Sequence, residues 1–283
     1  MSSSDESPLR ASWLPVDLAS DLYVAYEHEF GVRHSLLACY AAFAFIVSPE
    51  LVNLIRINFL ADDDVPWIAE PDFLLSPLCT YAGNGLYQVD PGVREITLVD
   101  FMSRVPDAPG VLYRLADFLL SYADSSAAAY YPAEVQRAYQ VIAWAHIDPQ
   151  RAVDLMKETL LGNLGHTGRT AVARARQDQL HVALMLEVVR APIEGALEAF
   201  AYRDLVETAR VLVDYWYFGS SVVTQLPHEP GVKPRHNRLA ETVVGGLRKM
   251  EQSELPATEG QPAGLSQADM MALLRDVLVS LYH

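Results

Sequence analysis

Read as a pattern of apolar and polar positions, the chain predicts helices along most of its length. Leu14, Leu18, Leu22, Tyr26 and Phe30 recur every fourth residue and Gly31 stops the run, so a first amphipathic helix is expected here. Residues 32–47 continue as a nearly all-apolar stretch, read as a buried helix at the centre of a first core. Its uncharged part, "SLLACYAAFAFIV" from Ser35 to Val47, is 13 residues long, too short to cross a bilayer as a helix. "SPELVNLIRINFL" restarts cleanly, with Ser48 as N-cap, Pro49 at the first helical position and Glu50 in the first turn. A short helix is expected around Trp67 to Leu75. The period then changes: "LCTYAGNGLYQV" holds two β-rich stretches about Gly83, Asn84 and Gly85, a turn signal for a hairpin. Asp90 and Pro91 open another helix that runs to about Arg104.

Helix, helix, hairpin, helix is the order of a winged helix-turn-helix. After it, "VPDAPG" at 105–110 is a punctuated joint and an expected domain boundary. Beyond the joint the chain reads as antiparallel helix pairs. In "YPAEVQRAYQVIAWAHIDPQRAVDLMKETLLG", Asp148 and Pro149 supply the turn, and Ala138, Ala143, Ala145 and Ala152 permit close approach. Residues 169–190 and 192–217 suggest a second pair, without a strict repeat. Residues 225–237 read as a loop and 253–264 as a flexible linker. A last amphipathic helix is expected from Ser266 to Leu281, with Ser266 as N-cap and Asp269 three residues on. The expected fold is therefore mainly α: a winged-helix-like N-terminal part with a short β-hairpin over 1–104, an antiparallel helical-hairpin (TPR-like) array over 111–252, the linker, and a C-terminal helix over 265–283.

Charge changes this picture, because the net −15 is unevenly placed. Residues 1–131 carry 18 acidic and 6 basic side chains, a net of −12, whereas the remainder carries 18 and 15, a net of −3. An acidic front half repels polyanions and anionic membranes. Residues 48–104 hold three cations (Arg56, Arg94 and Arg104) against nine acids, a net of −6, and the recognition-helix position near Trp67 to Leu75 has Glu70 and Asp72 but no cation. Phosphate contacts supply most non-specific DNA affinity, so no nucleic-acid partner is expected. The start, "MSSSDESPLR", lacks a basic region followed by an apolar stretch, and Cys39 and Cys79 lack metal-ligand spacing. A cytoplasmic protein with two buried free thiols is expected.

Four stretches have the look of chemistry. "GNLGHTGRT" at 162–170 resembles a Walker A loop, but the glycine spacing is one residue too long and Arg169 stands where the lysine belongs. Asp62, Asp63 and Asp64 could bind magnesium in an all-helical enzyme, yet carboxylates four residues apart would be needed to converge, and Pro66 follows the cluster. His28 and His34 are six apart with Gly31 between them, unlike a zinc-binding H-E-x-x-H pair. Tyr215, Trp216, Tyr217 and Phe218 are consecutive aromatics that cannot all face one core stripe, which makes them a candidate protein-interaction patch. No catalytic, metal or cofactor-binding residue is assigned.

"YQVDPGVREITL" resembles the end of the winged-helix domain of STAND-class signalling NTPases, with Tyr87, Val89, Pro91, Val93, Arg94 and Glu95 matching that pattern. That resemblance implies helical repeats after the winged helix and a histidine touching nucleotide, but Asp90 replaces the histidine and no credible phosphate loop is present. Residues 14–79 are also similar to a helical region of bacterial multidomain conflict or signalling proteins that carry caspase-like, formylglycine-enzyme-like or WD40 modules. Together these imply a non-enzymatic regulatory or adaptor protein working through protein partners. A magnesium-dependent enzyme using Asp62 to Asp64 and a winged-helix transcription factor are the alternatives.

Overall fold

A computed structural model of the protein describes residues 13–162, 179, 181–196, 204–209, 211–212, 239–240 and 242–246. The fold is mainly helical, with one small antiparallel sheet. The chain divides into two compact units, one through Ile147 and the other from Asp148, and each is taken by itself. In the expected joint at 105–110, residues 105–107 connect two packed helices and 108–110 form the first turn of the second. The expected linker, the C-terminal helix, the second helix pair's 169–178 and 213–217, and the tail of the Walker-like loop lie outside the described residues.

The first unit begins with α1 (Val16–Phe30) and α2 (Val32–Ala41), separated by Gly31 at a φ of 89°, a conformation glycine adopts without strain. The buried face of α1 is Ala19, Tyr23 and Tyr26, while Leu18 is exposed. The buried face meets the expected stripe only at Tyr26, with Ala19 and Tyr23 in place of Leu18 and Leu22, because an α-helix repeats at 3.6 residues, not four. The expected helix over 32–47 is also corrected. It ends at Ala41, a 3-10 turn spans Ala42–Ala44, Phe45 takes a φ of 62°, and Ile46–Val47 form strand β1. All of residues 41–48 are buried, so no alternation of apolar and polar positions marks the change from helix to strand.

Helix α3 (Pro49–Phe59) starts as the sequence predicts: the Ser48 hydroxyl accepts a hydrogen bond from the Leu51 amide, with Pro49 at the first position. The short α4 (Ala69–Leu74) follows, then β2 (Cys79–Gly83) and β3 (Leu86–Val89). Gly83, Asn84 and Gly85 all have positive φ, which is why the turn needs this composition. β3 lies in the middle of the sheet, paired antiparallel with both β1 and β2. Asp90 caps α5 (Pro91–Arg104), its Oδ1 accepting from Gly92 N at 2.8 Å and Val93 N at 3.4 Å. Helix α6 (Ala108–Ala123) packs on α5 and on α7 (Ala133–Ile147), with Tyr122 and Tyr139 edge to face between α6 and α7 at 5.8 Å.

In the second unit, α8 (Pro149–Gly162) buries Ala152, Val153, Met156 and Leu160 along one stripe. It touches α9 (Arg190–Ala196), which follows a helical stretch over 181–188. Val182, Met185, Leu186, Val189 and Ile193 are buried there.

Candidate functional site

The order α2, β1, α3, α4, β2, β3 puts the short α4 between α3 and the hairpin, within the acidic stretch 48–104. The three cations of this region are all engaged with other groups of the chain. Arg56 pairs through Nε with Glu70 Oε1, which also accepts from Asn53 Nδ2 at 2.8 Å. Arg94 is 4% exposed and donates to the Phe43 carbonyl at 3.2 Å, tying α5 to the turn before β1. Its burial lowers the guanidinium pKa to about 10, so it remains a cation at neutral pH. Arg104 bridges Glu27 and Asp100 at 2.7 Å each. The acids of α4 are likewise paired inward, Glu70 to Arg56 and Asp72 to His34 Nε2 at 3.2 Å. Beside α4 three large apolar side chains stand in solvent: Trp67 is 69%, Ile68 41% and Leu75 74% exposed. Tyr81 of β2 is exposed as well.

Behind this surface, side chains from three helices form one polar network. Tyr23 of α1 donates to Asp100 Oδ2 of α5 at 2.6 Å, and its hydroxyl lies 3.0 Å from Cys39 Sγ of α2. Ser35 of α2 donates to Glu27 Oε2 at 2.7 Å, the oxygen that Arg104 also meets. Hydrogen bonding from Arg104 holds the Glu27 carboxyl below its ordinary range. Burial pushes the Cys39 thiol up to about 12, so it stays protonated and inert as a nucleophile. The network clamps α1, α2 and α5 together; it joins residues 77 positions apart, and nothing local in the sequence announces it. Cys39 is buried as expected, whereas Cys79 is only half-buried on β2; both are free thiols.

Asp62 and Asp63 lie in an exposed 3-10 turn, Asp64 is left-handed at a φ of 50°, and its one ion pair is with Arg33 at 3.4 Å, with both side chains mostly in solvent. The three carboxylates end a helix in solvent and do not converge. Among the described residues no three His, Cys, Asp or Glu side chains are grouped to share a metal ion, and no helix is long and apolar enough to cross a membrane. Asp90 is occupied as a helix cap, with Leu14 N 3.4 Å from the same oxygen. Burial raises its carboxyl pKa against the opposing pull of those backbone amides. Gly162 ends α8, while 163–170 and the aromatics Tyr215, Trp216, Tyr217 and Phe218 lie outside the described residues.

One further feature escapes sequence reasoning. Tyr40, Asn58, Phe59, Val111, Tyr113, Arg114, Asp117, Phe118 and Ser121 line an open cleft of about 520 Å³ between the end of α3 and α6. Phe59 stands edge-on to Phe118 at 5.5 Å and tilted to Tyr40 at 6.3 Å. Its rings come from three helices, and no spacing in the chain links them.

Compared with family models, with curated proteins and with solved structures, the chain matches none.

Proposed function

We propose that this protein is a non-enzymatic regulatory or adaptor module that works by docking a protein partner, and that its N-terminal unit is a winged helix turned from DNA to protein recognition. The observation that carries the reading is the state of the face at α4. All three cations of 48–104 are engaged internally, and Trp67, Ile68 and Leu75 stand in solvent instead. Phosphate binding needs available cations, whereas tryptophan and large aliphatic side chains are what protein interfaces bury at their centres. The helix–strand–helix–helix–hairpin order, with a β1-β3-β2 sheet, supports the winged-helix reading. The packing of α6 on α7 in the first unit, and of α8 against α9 in the second, supports helical-hairpin packing within each. The resemblance of residues 87–95 to the winged-helix end of STAND-class proteins favours a role in a bacterial defence or signalling system, in the cytoplasm, with a partner that supplies any nucleotide chemistry.

The test is co-expression of the full chain with the products of the neighbouring genes. A stable complex is expected with at least one, and Trp67→Asp and Leu75→Asp should each abolish it while leaving the melting temperature within a few degrees, since both side chains are already in solvent. A complex indifferent to both substitutions would contradict the proposal.

A further inference from the structure

The aromatic cleft between α3 and α6 has a chemistry of its own. Phe59 and Phe118 are partly open to solvent and Tyr113 is exposed, so ring faces are available to a guest. Asp117 lines the wall, and Asp63, in the exposed turn after α3, acts on the Tyr40 hydroxyl in the opposite sense to Arg114. The cleft's volume of about 520 Å³ lies within the range of roughly 300–1,000 Å³ typical of ligand sites. Residues 13–147 carry 17 acidic and 6 basic side chains, a net of −11, so the field around the cleft draws in cations and repels anions. Aromatic ring faces carry negative potential and bind guanidinium and ammonium groups, the more so with carboxylates at the rim.

We infer that this cleft takes the side chain of an arginine or lysine from a basic segment of a partner protein, its cationic head against Phe59, Tyr113 and Phe118 and paired with Asp117. The assignment rests on the reading of the protein as a docking module and adds the chemistry of what is docked. Arg114 is the one like charge that such a guest meets on the cleft wall, and this fixes the sign of a decisive variant. A cationic guest binds more tightly when Arg114 is removed; an anionic guest, for which Arg114 would be the anchor, binds less tightly.

The experiment titrates the isotope-labelled full chain with a blocked Gly-Ser-Arg-Ser-Gly peptide and with the same peptide carrying neutral citrulline for arginine, following backbone amide shifts. The arginine peptide should shift amides of α6 and the end of α3 and bind about fivefold or more tightly than the citrulline peptide. Asp117→Asn should weaken it several-fold, and Arg114→Ala should strengthen it. Equal affinity for the two peptides, weakening by Arg114→Ala, or shifts spread evenly over the acidic surface would each overturn the assignment. Because Trp67 and Leu75 do not line the cleft, failure here with the Trp67-dependent complex intact would remove the cleft alone; loss of that complex's Trp67 dependence, with peptide binding intact, would remove only the α4 surface.

Discussion

Gly92 stands where a side chain has no room. A Cβ there would lie 2.5 Å from the Leu14 carbonyl oxygen, a backbone atom fixed by the Leu14 amide's own contact with Asp90. Gly92→Ala should therefore destabilise the fold by about 1–3 kcal/mol in urea unfolding, as overpacking does. Gly110, in the first turn of α6, gives the opposite sign. The atoms nearest its Cβ would be those of the Asp107 carboxylate, the end of an exposed side chain that can rotate away. Gly110→Ala should be neutral or stabilise by up to about 1 kcal/mol, because alanine loses less backbone freedom on entering a helix. His146 supplies a pH test. Burial, and then Arg94, lower its pKa to about 4, while the ring packs 5.0 Å from Phe43 and its Nε2 has no protein hydrogen-bond partner. The unfolded chain takes up this proton near pH 6.5 and the folded protein only near 4, so stability falls as pH drops between those values, by up to about 3 kcal/mol. Glu27, with its pKa lowered, loses its contribution only below the ordinary carboxylate range, a lower window. His146→Phe should flatten the unfolding free energy between pH 6.5 and 5; an unchanged slope would show that the imidazole is already charged in the fold.

At the scale of elements, the sequence was legible wherever local chemistry decides the outcome. Ser48 with Pro49, the Gly83-Asn84-Gly85 turn, and Asp90 with Pro91 each act through backbone groups within a few residues, and each appears where it was expected. The stretch 42–47 was not legible, since a run buried on all sides carries no period. Neither the clamp of α1, α2 and α5 nor the aromatic cleft was visible, because both join distant side chains that only packing brings together. The clamp can be probed directly. Asp100→Ala removes the acceptor of Tyr23 and one partner of Arg104, and should cost about 1.5–3 kcal/mol, as loss of hydrogen bonds to a charged group does. The Asp62 to Asp64 turn predicts the contrary. Changing all three to Asn should leave the melting temperature level or slightly higher, since mutual repulsion at a helix end is relieved. Millimolar magnesium should not shift the wild-type transition, whereas a site of about 10 µM would add roughly 2.7 kcal/mol.

For the whole molecule, the decisive property is where its few cations are spent. Residues 48–104 hold three, enough to meet phosphate if they were free to do so. The structure directs Arg56 to Glu70, Arg94 to a buried carbonyl, and Arg104 to Glu27 and Asp100. With these three engaged within the protein and a net of −11 over residues 13–147, duplex DNA meets repulsion with few compensating contacts. The most direct measurement is therefore binding of the full chain to fluorescent genomic duplex fragments across a salt series that includes about 150 mM. No sequence-selective complex should form, and any weak association should show almost no salt dependence, because counterion release needs protein cations at phosphates. A nanomolar, sequence-selective complex with a steep salt slope, weakened by Arg56→Ala, would contradict the account and return the protein to the transcription factors.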